Sequence, residues 1–115
     1  MALTEARWTG EFLISEAPGS RSREEVTIAA AAGALQAGTV LGKITASGKY
    51  VAYNNGAADG SEVAAGILYA AAPDLAIDQK AVAFVRDCEV ANLRLTGIDV
   101  LGKVDLAALG IIVRA

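Results

Sequence analysis

Histidine is absent from this 115-residue sequence, and cysteine and tryptophan each occur once. Without histidine, the chain lacks the residue that most often serves as a general base and as a metal ligand. A single cysteine excludes a disulfide within the chain and any zinc site built from cysteine pairs. These absences argue against an enzyme, and we expect the chain to bind no metal or other cofactor.

Long apolar runs and a basic surface are also missing. No run approaches the roughly 18 apolar residues that a membrane-spanning helix needs, and the N-terminus lacks the basic and apolar regions of a secretory signal. The net charge is −3 with both signs dispersed, whereas a nucleic-acid binder normally shows a basic face. We therefore expect no membrane and no nucleic acid among the partners, and the lone cysteine fits a reducing cytosol.

The remaining candidates for chemistry are weak. Cys88 lies between Asp87 and Glu89, whose negative charges disfavour a thiolate, so we expect it to be structural. The Asn-, Asp- and Gly-rich segment 54–60 lacks the acidic spacing and the terminal glutamate of a calcium loop. Lys49 is placed like the modified lysine of lipoyl and biotinyl carrier domains, but its neighbours differ, so a carrier domain is the least favoured alternative.

Small side chains dominate what is present. The chain contains 25 alanines but only two Phe, three Tyr and one Trp. A single domain of this size buries roughly two-thirds of its unfolded surface, but small side chains fill little volume each. This composition indicates that subunits share burial through an interface.

Residues 38–53 organise the chain. Two runs rich in β-branched and aromatic residues are separated by Ser47 and Gly48, a pattern that predicts a hairpin. The turn-rich segment 54–60 follows, and residues 63–72 are then apolar throughout, as expected for a strand buried on both faces or lying against a neighbouring subunit.

Shorter patterns predict the other elements. Alternation predicts strands over 25–29, 79–85 and 89–95, and a last strand over 111–114. The apolar period changes over 99–109, which predicts one short helix with Asp99 or Asp105 as its N-cap and Gly110 as its stop.

The segment 11–16 is an apolar run with acidic ends, which predicts one strand. Two interpretations stay open. It is either an ordinary strand of the domain's own sheet or an arm that docks on another chain by adding a strand to its sheet. The loop over 17–23 favours the arm, because it is rich in residues typical of a flexible joint.

Several segments, in this order and in a histidine-free chain of this length, resemble the bacteriophage head decoration proteins, the lambda head protein D family. They are residues 10–17 (GEFLISEA), 21–24 (RSRE), 37–42 (AGTVLG), 59–60 (DG), 65–68 (AGIL) and 109–111 (LGI). The lambda protein itself departs from this sequence in its N-terminal segment.

The resemblance implies a mainly β fold: a small β-clip-like or partly open barrel with one short C-terminal helix and an extended N-terminal arm. It divides the chain into an arm and joint over residues 1–24 and a trimerising body over 25–115. It implies a capsid-stabilising structural protein of the virion, made in the host cytoplasm. Such a protein binds as a homotrimer at three-fold and quasi-three-fold positions of an expanded head.

The family's arm orders beside the major capsid protein, which is the implied partner, and residues 8–14 take that place here. The residues expected to bind the capsid are Trp8, Glu11, Phe12, Leu13, Ile14, Arg21 and Arg23. The alternative to a head protein is a small β binding module on another viral assembly, such as a tail or fibre accessory.

Overall fold

The computed structural model describes residues 10, 12–17, 21–30, 33–74 and 76–114. Within these ranges the chain forms eight strands, one 3₁₀ turn and one α-helix. The elements are β1 Leu13–Glu16, β2 Arg23–Ile28, β3 Val40–Lys43, β4 Tyr50–Ala52, β5 Ala64–Leu68, β6 Gln79–Phe84, β7 Cys88–Ala91, the 3₁₀ turn Asn92–Arg94, α1 Val100–Ala108 and β8 Ile111–Arg114. No helix in the described ranges has the length and apolar character to cross a membrane. The predicted mainly β fold with one short helix near the C-terminus is confirmed.

Five strands form a closed barrel in the order β2-β4-β3-β5-β6, with β6 returning to β2. The pairing of β2 with β6 is antiparallel over six residues, from Arg23 opposite Phe84 to Ile28 opposite Gln79. On the other side, β2 meets β4 in parallel at one position only, Ile28 beside Tyr50. The barrel that the resemblance implied as partly open is therefore closed, and its narrowest seam lies between β2 and β4.

The predicted central hairpin is confirmed as β3 and β4. Lys43 pairs with Tyr50, and the turn between the strands is held by the Ile44 amide donating to the Lys49 carbonyl at 2.8 Å. Gly48 has a φ of 72°, a left-handed conformation that glycine adopts without steric cost. The Ser47-Gly48 break in the sequence is thus the turn itself.

The other three strands form a separate sheet in the order β1-β7-β8. β7 pairs antiparallel with β1 and parallel with β8, so β1 and β8 are the two edges of this sheet. The sequence left open whether this segment joins the domain's own sheet or docks on another chain. In this subunit, residues 13–16 pair with the domain's own sheet.

Two apolar clusters lie on opposite faces of the barrel wall. One fills the barrel and includes Leu41 and Leu68; the other packs between the barrel, the three-stranded sheet and α1, and includes Val40 and Ile67. Neighbouring residues on a strand point to opposite faces, so β3 and β5 supply side chains to both clusters. Of the two settings predicted for the apolar run over 63–72, a strand buried on both faces is what the subunit shows, over Ala64–Leu68.

The strand predicted over 89–95 ends early. β7 stops at Ala91, and Asn92–Arg94 form a 3₁₀ turn in which the Leu95 amide donates to the Asn92 carbonyl at 3.2 Å. This turn redirects the chain so that Thr96 bridges Thr39, and the Thr96 carbonyl accepts from the Val40 amide at 3.0 Å. A tertiary contact therefore overrides the strand pattern of the segment.

The helix follows its predicted signals. The Asp99 side chain accepts from the Gly102 amide at 2.6 Å, which satisfies one of the unpaired donors of the first turn. Leu109 is the C-cap, and Gly110 follows it with a φ of 81°. Of the two N-cap candidates, the structure selects Asp99.

Candidate functional site: the N-terminal edge strand

Five of the seven residues predicted to bind a partner lie among the described residues. Trp8 and Glu11 lie outside the described residues. Leu13 and Ile14 belong to β1, Phe12 directly precedes it, and Arg23 begins β2. The structure thus places these four in or beside β1.

Phe12 is a core residue of the subunit. Its side chain is fully buried, and its ring meets that of Phe84 edge to face, with centroids 5.6 Å apart. The Phe12 carbonyl also accepts from the Ala91 amide at 2.7 Å. Phe12 therefore fixes the start of β1 on β7 and, in this conformation, offers no side-chain surface to a partner.

Ile14 is the outward-facing apolar residue of β1. The register shifts between Leu13, which lies opposite Val90, and Ser15, which lies opposite Glu89, so Ile14 occupies an irregularity of the β-bulge type. Its side chain is 54% exposed, whereas Leu13 packs against the core. In the described part of the chain, no strand pairs with the outer edge of β1.

Backbone contacts anchor both ends of β1. At the N-terminal end, the Gly10 amide donates to the Tyr69 carbonyl at 2.9 Å. At the other end, the fully buried Ser22 hydroxyl accepts from the Ala17 amide at 3.0 Å and donates to the Asp87 carbonyl at 2.7 Å. The C-terminal part of the predicted joint over 17–23 is therefore held by hydrogen bonds.

Arg23 binds Glu16, the last residue of β1, instead of pointing into solvent. Its guanidinium donates from Nε and Nη2 to the two carboxylate oxygens of Glu16, at 3.1 and 2.8 Å. This two-point hydrogen bond, with its ion pairing, raises the pKa of Arg23. The guanidinium also stacks over Tyr69, 4.7 Å from the ring centroid, and lies 5.3 Å from that of Phe84.

Arg21 differs from Arg23 because it faces solvent. Its side chain is 64% exposed, and its Nε lies 3.6 Å from an Asp87 carboxylate oxygen. Arg86 donates to the Arg21 carbonyl at 2.7 Å and pairs with Glu24 at 3.0 Å. Of the two predicted arginines, Arg21 is thus the more exposed.

Sequence reasoning missed Ser22, Glu16 and Asp87 as the residues that hold β1 in place. Asp87 has a φ of 49°, the one described residue other than glycine with a positive φ. Its place between two predicted strands was a signal for a tight turn, because aspartate tolerates this conformation better than most residues. Nothing in the sequence signals the burial of Ser22.

The weaker chemical candidates have structural roles. Burial, followed by the charges of Glu16 and Asp87, raises the pKa of Cys88 to about 11, which agrees with the prediction that its thiolate is disfavoured. In the loop over 54–60, Asp59 accepts from the amide and hydroxyl of Ser61 at 3.0 and 2.6 Å, and these bonds lower its pKa. Among the described residues, no group of three or more acidic or cysteine side chains could hold a metal ion.

Lys49, the residue compared with a carrier lysine, lies beside a surface cavity of about 430 Å³. Its amine pairs with the Asp78 carboxylate at 2.7 Å, and this contact contributes most to lowering the pKa of Asp78. The side chain is thus engaged in an ion pair that links the β3–β4 turn to the start of β6.

Comparison with known proteins confirms the resemblance drawn from the sequence. The family model described as bacteriophage lambda head decoration protein D matches residues 2–111 of the chain. No curated protein matches it. This is a family of structural proteins rather than of enzymes, and it gives the chain a decorating role on the phage capsid and a place in the virion. The chain belongs to the bacteriophage lambda head decoration protein D family.

Proposed function

We propose that this protein stabilises an expanded phage head by binding, as a homotrimer, at its three-fold and quasi-three-fold positions. The subunits are made in the host cytoplasm and join the head from outside. The N-terminal segment, including Trp8 and Glu11, lies beside the major capsid protein and combines with one of its strands in a shared sheet. The observation that supports this contact most strongly is the outer edge of β1, which no described strand covers.

An open strand edge is a template for pairing with another chain, because its backbone donors and acceptors have no partner within the sheet. β1 presents such an edge with the half-exposed Ile14 on it. Ile14 follows Leu13 on the strand and therefore points to the opposite, outward face, while Leu13 stays in the core. A capsid strand added to β1 would gain both main-chain hydrogen bonds and an apolar contact.

The anchoring of β1 favours addition to its outer edge over its removal from β7. Leaving β7 would expose Phe12 and break the Arg23–Glu16 contact. Exposing a buried Phe side chain alone costs about 1.5–3 kcal/mol. In the proposed complex, β1 stays in place and lies between β7 and the capsid strand, while Arg21 supplies an exposed positive charge beside it.

Three such edges on one trimer bind with avidity. A single short strand with one exposed apolar residue gives a weak contact. Most of the free energy gained from its hydrogen bonds and apolar contact is offset by the entropy cost of ordering the capsid segment. Once one subunit is docked, the other two bind intramolecularly and at a high effective concentration. A protein without catalysis can reinforce a shell in this way.

The first test is Ile14→Asp. A charge on the outer edge of β1 should weaken binding to expanded capsids by tenfold or more, because it removes the apolar contact at the shared edge, while the exposed position leaves the fold intact. Co-sedimentation with purified expanded capsids measures binding, and circular dichroism and light scattering check the fold and the trimer.

The matched control is Ile112→Asp, which places the same charge on β8, the opposite edge strand of the same sheet, where the side chain is 46% exposed. It should bind capsids as the unmodified protein does. Loss of binding in Ile112→Asp but not in Ile14→Asp would place the capsid contact on β8 instead of β1 and overturn the proposal. A stable monomer that ignores capsids would reject the function as a whole.

A further inference from the structure

The helix α1 presents an apolar face that the described part of the subunit leaves uncovered. Val100, Leu101 and Val104 are 75%, 54% and 63% exposed, and Ala107 and Ala108 are exposed as well. Only Gly102 and Leu106 of this helix are buried. A surface helix of a monomer normally shows the reverse pattern, with its apolar stripe inward and polar residues outward.

The exposed residues form one continuous stripe. Successive residues of an α-helix are about 100° apart around its axis, so the five apolar side chains cover an arc of about 120°, centred near Val104. Gly102 and Leu106 lie on the opposite side, where α1 packs against the subunit. The stripe therefore points directly away from the core that holds the helix.

The two borders of this stripe carry opposite charges. Lys103 lies beyond one border and is exposed. Asp105 lies beyond the other and is half-buried, with its Oδ2 accepting from the Ala64 amide at 3.0 Å. The stripe thus has a positive flank and a negative flank, each about 40° from the nearest apolar residue by the same helical spacing.

On the Asp105 side the surface is concave. A groove of about 470 Å³ lies beside the helix, and its apolar residues include Val63, Ala108 and Leu109. Its charged residues are Asp105 and the mutually paired Arg86 and Glu24. Val63 is 51% exposed. The apolar surface therefore continues from the ridge of α1 into a groove, so one subunit carries both a convex and a concave apolar surface.

We infer that the α1 stripe is the surface by which copies of this chain contact one another, with the ridge and positive flank of one subunit meeting the groove and negative flank of the next. The inference rests on the proposed trimer and deepens it by naming its interface. A cyclic trimer needs two different complementary surfaces on each subunit, because its contacts are head-to-tail.

The order of charges selects this arrangement. Around a rotation axis that runs along the helices, the Lys103 flank of each helix faces the Asp105 flank of its neighbour, which is attractive. An antiparallel pair would instead place each flank against its own copy, and like charges would repel. Charges that border an apolar seam are known to set partner choice and orientation in this way. Because the positive flank of this surface complements its own negative flank on another copy, the partner that fits it is a second copy of the chain rather than a capsid segment.

The test is Val104→Asp, at the centre of the stripe, compared with Ile77→Asp, which adds the same charge at a 69% exposed apolar residue away from α1. Light scattering of purified protein should give a monomer mass for Val104→Asp and a trimer mass for Ile77→Asp. Circular dichroism should show both folded. A trimer in Val104→Asp overturns the inference while leaving the proposed function intact; a monomeric unmodified protein rejects both.

Two further pairs of variants test the inference if Val104→Asp does not fold. Lys103→Glu should raise the concentration at which the trimer dissociates by about tenfold, whereas Lys43→Glu, an exposed lysine on β3, should not. Val104→Cys should crosslink between subunits with a short bismaleimide much faster than Ile77→Cys. Equal effects in the two members of either pair contradict the inference.

Discussion

At the scale of single residues, the sequence does not distinguish an apolar side chain that binds a partner from one that is buried in its own subunit, and Phe12 is the example. Its place in a short apolar segment near the N-terminus is compatible with burial against a partner or within the subunit. The structure buries it completely, with its ring edge to face against that of Phe84. Ile14, two residues later, stays 54% exposed.

Phe12→Ala should lower the free energy of unfolding by about 3–5 kcal/mol, the usual cost of emptying a buried Phe site. Ile14→Ala is the control and should change it by less than about 0.5 kcal/mol, because the side chain is half exposed. Urea unfolding followed by circular dichroism measures both. If Phe12→Ala behaved like its control, the free subunit would not bury Phe12 and β1 would not be held on β7.

At the scale of the elements, one hydrogen bond joins the central hairpin to the helix. The Tyr53 hydroxyl, directly after β4, donates to the Asp99 carboxylate at 2.9 Å, and the same oxygen caps α1. Gly102 makes this approach feasible, since a Cβ there would lie 3.1 Å from the Tyr53 ring. The capping signal was visible in the sequence, but its second partner, 46 residues away, was not.

Burial and the Asp99 carboxylate raise the pKa of Tyr53 from 10.0 to about 12. The folded state thus favours the neutral phenol, so this contribution to stability is complete below pH 10 and is lost as pH rises towards 12. Tyr53→Phe should lower stability at pH 7 by about 1 kcal/mol through the lost hydrogen bond. The variant should also lose less stability than the unmodified protein as pH rises from 10 to 12.

Urea unfolding of both proteins across this pH range tests the linkage. The difference between the two stability curves is the informative quantity, because Cys88, whose pKa is also raised, titrates in both proteins. Parallel curves between pH 10 and 12 would show that Tyr53 ionises as freely in the folded state as in the unfolded chain.

At the scale of the whole molecule, the two apolar clusters share the barrel wall. β3 and β5 place alternate residues in each cluster, and Phe84 and Val85 at the end of β6 do the same. Loss of the wall would remove one side of both clusters at once. The barrel and the three-stranded sheet therefore form one cooperative unit.

We expect a single unfolding transition at any fixed protein concentration. Far-UV circular dichroism reports all strands, and the reactivity of Cys88 with a thiol reagent reports the cluster outside the barrel, where this cysteine is buried. The two probes should give the same urea midpoint. Exposure of Cys88 at a lower urea concentration would show that the three-stranded sheet opens while the barrel persists.

The sequence by itself determined the local structure. Gly48 marked the hairpin turn, Gly110 marked the end of the helix, and the apolar run from Val63 marked a strand. For the start of the helix the sequence offered both Asp99 and Asp105. These signals act between residues a few positions apart, through backbone conformation and alternation, so they are visible in a linear chain. The ordered segments also sufficed to identify the family.

Only the tertiary structure decided which surfaces meet. Barrel closure joins Val26 to Ala81, and the docking of β1 joins Leu13 to Val90. The end of β7 likewise depends on the bridge between Thr39 and Thr96. In each of these pairings, a segment has one partner out of several apolar strands of similar composition. The free energy that decides it comes from packing and hydrogen bonds between residues far apart in the chain, which no local pattern records.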